Sequence, residues 1–81
     1  MMVENTTYVA RVRNFVEEHI PRSISDDERY FESGFVDSLF GIQLITFLEG
    51  EFAIEISDDD LDVENFSSIR NVALFVERKC L

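Results

Sequence analysis

Apolar residues recur at helical spacing in three stretches of this chain, and no stretch alternates in a way that finds a partner strand. In the first stretch Tyr8, Val9, Val12, Phe15, Val16 and Ile20 share one face of a helix that Asn5 or Thr6 can cap. Arg11, Arg13, Glu17 and Glu18 take the other face, and Pro21 ends the helix because it lacks an amide and disfavours helix in the residue before it. The second stretch starts at Asp37, whose carboxylate is placed to accept orphan amides of the first turn, and runs from Ser38 to Glu51 or Phe52. Phe40, Gly41, Leu44, Ile45, Leu48 and Phe52 share its broad core face, while Leu39 and Ile42 point the other way with Thr46, Glu49 and Ala53. A helix apolar on both sides is hard to bury completely in 81 residues, so Leu39 and Ile42 are expected to meet a partner. The third stretch follows a cap at Ser67 or Ser68, with Ile69, Val72, Ala73 and Val76 as its stripe and Arg78-Lys79 suited to the helix C-terminus.

Two irregular segments separate these helices. From Arg22 to Val36 the period is lost, yet Ile24, Tyr30, Phe31 and Phe35 recur, so this long loop is predicted to be pinned across the bundle. Ser57-Asp58-Asp59-Asp60 is a cap signal into a short acidic turn or helix, continued by Asp62-Val63-Glu64-Asn65-Phe66. Ile54-Glu55-Ile56 alternates like a strand but has nothing to pair with. The chain reads as all-α, with three main helices and a short one between the second and the last.

Size and charge exclude several classes of function. At 81 residues folding buries only about 60–65% of the unfolded surface, so the core is thin and a deep private active site is not expected. One Cys and one His leave no disulfide framework, multi-Cys zinc site or multi-His metal site. The net charge is −10, and between Arg29 and Arg70 the chain holds ten acids and no base. Such a surface repels nucleic acid and anionic lipid, and favours basic partners. No apolar run approaches the ~20 residues of a membrane helix, and the start lacks the basic and apolar regions of a secretion signal. A cytoplasmic setting follows as the expectation.

The remaining constellations divide sharply. Asp58, Asp60 and Asp62 alternate like a calcium loop, but Val63 and Ile69 stand where its Gly and closing Glu are required. Ser38, His19 and Asp37 cannot form a hydrolase triad, since the adjacent Ser and Asp cannot both reach one imidazole. His19 reads as a dipole-stabilised imidazole near the end of the first helix, and Cys80 as a free thiol at a frayed end. Ser38 is different. It opens a helix after a flexible loop, where unsatisfied amides and the helix dipole favour an attached phosphate.

Gly34-Phe35-Val36-Asp37-Ser38-Leu39 opening a hydrophobic helix resembles the attachment motif of acyl carrier proteins and of the related peptidyl and D-alanyl carrier proteins. The resemblance runs on through Leu39, Ile42, Leu44, Leu48, Glu49, Glu51 and Phe52, then Ile54-Glu55-Ile56-Ser57-Asp58 and Phe66-Ser67-Ser68-Ile69, spanning about Tyr30 to Val76. It implies a four-helix bundle of the acyl-carrier type, with three main helices plus a short third one, as a single carrier domain over residues 1–81. It implies 4′-phosphopantetheine attached covalently to Ser38, with Asp37 as helix cap and transferase contact. Leu39 and Ile42 would be apolar docking anchors, and Glu49, Glu55 and Asp58 would offer charge to basic partner surfaces. The implied partners are a phosphopantetheinyl transferase, an acyl-loading acyltransferase or adenylating ligase, and downstream synthase or tailoring enzymes. The chain itself would be a monomer and no enzyme.

The sequence also departs from the fatty-acid members of that family. Phe40 and Gln43 stand where those carriers usually have acids, and Gly50 interrupts the acidic run. With the Phe-rich second helix and Leu61-Asp62-x-x-Asn65-Phe66, this looks more like a free-standing bacterial carrier of polyketide or nonribosomal-peptide metabolism. Its cargo would be an unusual extender unit such as methoxymalonyl, hydroxymalonyl or aminomalonyl. The alternatives are a D-alanyl or aminoacyl carrier loaded by an adenylating ligase and, in another class, an unmodified acidic helical adaptor.

Overall fold

A computed structural model describes residues 5–20, 23–32, 34 and 36–80. They form α1 (Asn5–His19), α2 (Ser38–Phe52) and α3 (Ile69–Cys80), with 3₁₀ turns at Asp58–Asp60 and Val63–Phe66 between the last two. Among the described residues there is no strand, and Ile54-Glu55-Ile56 is irregular. The stop at Pro21, the side-chain cap at Asn5 or Thr6 and the pin at Phe35 lie outside what is described.

The stripes read from periodicity make the core. Val12, Val16 and Ile20 from the first helical stretch, Phe40, Leu44 and Leu48 from α2, and Ile69, Val72 and Val76 from α3 are all buried. Tyr8, Val9, Phe15, Ile45 and Phe52 pack half-buried at its margin. The stripe of α3 is wider than expected, because Phe75 is buried too and meets Phe66 edge-on at 5.2 Å. α1 packs more extensively on α3 than either does on α2. Ring contacts fix the direction of α2 against α1: Tyr8 meets Phe52, Phe15 stacks on Phe47 at 4.4 Å, and His19 meets Phe40. The two helices are therefore antiparallel, and the end of α1 lies beside the start of α2.

The loop before α2 is pinned as its apolar residues predict. Ile24 and Tyr30 are buried and Phe31 half-buried. The Tyr30 hydroxyl donates to the Phe66 carbonyl at 2.5 Å, and its amide donates to the Ser67 carbonyl at 3.3 Å. Burial holds the Tyr30 phenol well above its ordinary pKa, so it stays a donor. Arginines clamp the loop from both sides. Arg13 on α1 donates to the Ile24 carbonyl at 2.5 Å and pairs with Asp26, while Arg70 on α3 pairs with Asp27 at 2.5 Å. Arg29 grips Glu64 through both terminal nitrogens, at 3.1 and 2.8 Å.

The short third helix of the expected bundle is replaced by the two 3₁₀ turns. Short polar side chains intercept the backbone groups that would extend a helix. The Asp60 carboxylate accepts the Ser57 amide at 3.0 Å, the Asn65 side-chain amide donates to the Asp60 carbonyl at 2.9 Å, and the Asp62 carboxylate accepts the Glu64 amide at 3.0 Å.

Candidate functional site

The site begins with the turn into α2. Gly34 has φ +84°, a left-handed conformation that a side chain disfavours. Asp37 is then extended, with φ −134° and ψ −168°. Its carboxylate accepts the Phe40 amide at 3.2 Å and its carbonyl accepts the Gly41 amide at 3.2 Å, as the N-cap reading requires. Ser38 is the first residue of the helix and is exposed. Its neighbouring amides belong to the group that an α-helix leaves without an intrahelical acceptor.

Beside this turn lies an open cleft of about 240 Å³, lined by His19, Gly34, Val36, Asp37, Leu39, Phe40 and Gln43. A more apolar groove of about 230 Å³ runs between α2 and the 3₁₀ turns, lined by Phe31, Gly41, Ile45, Leu61, Asp62, Val63 and Phe66. Sequence reasoning placed His19 at the end of α1 but not at this cleft. Only the antiparallel pairing of α1 with α2 brings it there.

The other residues singled out from sequence fall in three environments. Leu39 and Ile42 are 60% and 62% exposed on α2, and Leu61 and Val63 add exposed apolar surface near the groove. Glu55 and Asp58 are exposed, with no basic partner among the described residues. Glu49 is half-buried and accepts the Ile56 amide at 2.9 Å, so it fastens the segment after α2 onto the helix. The acidic stretch is also less uniform than its sequence suggests. Arg11 pairs with Glu51, Arg29 with Glu32 and Glu64, and Lys79 with Asp60. Lys79, then the Ser57 amide, hold the Asp60 carboxyl down at about 2. Among the described residues no cluster of His, Cys, Asp and Glu is placed to hold a metal, and no helix is long and apolar enough to cross a membrane.

The model of one family, described as the phosphopantetheine attachment site, matches residues 10–76, which takes in α1 from its middle, the whole of α2 and most of α3. The chain belongs to the phosphopantetheine-attachment-site family. A search of the curated proteins finds no match. Membership makes 4′-phosphopantetheine the covalent cofactor and partner enzymes the family's working context. The turn into α2 fits such a group: it offers an exposed hydroxyl at a helix start, an open cleft beside it and no bulky side chain at Gly34.

Proposed function

We propose that this chain is an acyl carrier protein with Ser38 as its attachment residue. The observation that carries the reading is the exposed Ser38 at the first position of α2, capped by Asp37, inside the span matched by the family. In the active site of a transferase Ser38 Oγ gives up its proton and attacks the pantetheine-bearing phosphorus of coenzyme A, whose pyrophosphate P–O bond breaks to release adenosine 3′,5′-bisphosphate. The bound group supplies a terminal thiol that holds acyl cargo as a thioester, an activated linkage the bare chain cannot make. The chain's own part is to present that group and to be recognised, and it catalyses no step itself.

Recognition follows from surface chemistry. Leu39 and Ile42 offer apolar anchors beside the attachment point, and Glu55 and Asp58 offer charge that no basic side chain among the described residues neutralises. Basic partners such as the transferase and an acyl-loading enzyme are steered by such a surface into fast, weak encounters. The aromatic character of α2, with Phe40 and Gln43 where fatty-acid carriers have acids, supports polyketide or nonribosomal-peptide metabolism with an unusual extender unit as cargo. The setting is the bacterial cytoplasm, and the working form is a monomer.

Incubation with a phosphopantetheinyl transferase and coenzyme A tests the reading. Intact mass should rise by one phosphopantetheine in the wild-type chain and stay unchanged in Ser38→Ala. The exposed hydroxyl contributes less than about 0.5 kcal/mol to stability, so the variant should melt with the wild type. An adduct on the alanine variant would place the attachment elsewhere and end the assignment.

A further inference from the structure

His19 stands at the cleft with no part in the reading above. Its Nδ1 is 2.9 Å from the Phe15 carbonyl oxygen. A carbonyl only accepts, so Nδ1 carries a proton, and Nε2 is the nitrogen left for a ligand. Two rings hold the imidazole in place: Phe15 at 4.5 Å and buried Phe40 at 5.4 Å between ring centres. Across the cleft are Asp37 and Leu39, the residues on either side of Ser38.

The charge around this point makes His19 distinctive. Of the described residues lining the cleft, His19 is the only one able to carry positive charge, and Asp37 is the other titratable group. No Lys or Arg occurs between Arg29 and Arg70, on a chain of net charge −10. A phosphodiester on Ser38 adds another negative charge beside the Asp37 carboxylate. Among the described residues lining the cleft, the imidazole is the one group that can donate to it in a charge-assisted bond.

We propose that His19, in its doubly protonated form, holds the phosphodiester on Ser38 against the cleft through Nε2–H. His19 is thus a positioning residue for the root of the prosthetic arm. The inference rests on the Ser38 reading.

The test is ³¹P NMR of the phosphopantetheinylated full chain, titrated from about pH 8 to about pH 5. A phosphodiester has no proton to exchange in that range, so its resonance moves only if a neighbour titrates. In the wild type the ³¹P resonance should follow the same curve as the His19 imidazole protons in the same sample. His19→Phe keeps a ring between Phe15 and Phe40 and should give a flat ³¹P trace. His19→Gln should do the same, and melting curves of both variants report whether the fold is kept. A flat wild-type resonance beside a titrating imidazole would overturn the inference while leaving the Ser38 reading intact. An unchanged ³¹P curve in either folded variant would also overturn it. Failure to form any mass adduct would overturn the Ser38 reading and this inference together.

Discussion

Ile42 and Leu48 sit on the same helix, both aliphatic and only six residues apart, yet their truncation should have opposite consequences. Leu48 is fully buried, and Leu→Ala at such a site costs about 2–5 kcal/mol. A chain of this length has roughly 4–12 kcal/mol of total stability. With about 4–8 °C lost per kcal/mol, Leu48→Ala should melt at least about 8 °C lower, and at the upper end should not fold stably. Ile42 is 62% exposed, so little more than a third of its side chain is covered. Removing three carbons at about 0.8 kcal/mol per fully buried methylene then costs about 0.9 kcal/mol. The better helix propensity of alanine returns about 0.4 kcal/mol, leaving a loss of about 0.5 kcal/mol and about 2–4 °C. If Ile42 is an anchor for partner enzymes, its truncation should slow phosphopantetheine transfer about tenfold, equivalent to about 1.4 kcal/mol of contact energy. Circular-dichroism melting and a timed intact-mass assay read the two effects separately. Equal melting losses would make Ile42 a core residue, and an unchanged transfer rate would move the docking surface off this face of α2.

Four further expectations concern the scaffold. Tyr30→Phe removes the hydroxyl that satisfies the Phe66 carbonyl, and should cost about 1–3 kcal/mol in urea unfolding; a loss below about 0.5 kcal/mol would mean that the bond does not secure the loop. Gly50→Ala should gain about 0.5–1 kcal/mol, since an added methyl meets nothing within 4 Å. Ala53→Gly should gain up to about 1 kcal/mol, since Ala53 closes α2 at φ 54°, and a lower melting point for either variant would contradict the local geometry. The Asp60 carboxyl is lowered from 3.8 to about 2 by Lys79 and Ser57, so its contribution is present above pH 3.8 and disappears as pH falls through about 2. The stability gap between the wild type and Lys79→Met, read from urea midpoints, should therefore close as pH falls from about 4 toward 2, and a gap that persisted would remove the ion pair as its cause.

Local physics made most of the helical architecture legible. Asp37 announced the start of α2 because an N-cap is a short-range device, and periodicity separated buried Leu44 and Leu48 from exposed Leu39 and Ile42. What escaped was set by contacts distant in sequence. Phe75 is buried because Phe66 reaches it from the second 3₁₀ turn, and Phe47 is half-buried because Phe15 stacks on it from α1. Glu49 sits on the helix face that periodicity turns to solvent, yet its carboxylate reaches back to the Ile56 amide. His19 is at the cleft only because α1 and α2 run antiparallel. The break at the third helix was partly legible, since four aspartates in five positions compete with the backbone for hydrogen bonds, but which bonds win depends on Asn65 and Lys79 arriving from later in the chain.

The pairing of α1 with α3 imposes an order on biosynthesis. Val12 and Val16 leave the ribosome early, but part of the surface that covers them belongs to a helix that begins about 50 residues after α1 ends. At roughly 5–20 residues per second, the nascent chain carries its first apolar stripe uncovered for about 3–10 s. Folding is accordingly a late event that waits on α3, and a message truncated before Ile69 should yield no partly working carrier. Its product would instead be an exposed amphipathic helix, a substrate for chaperones and proteases.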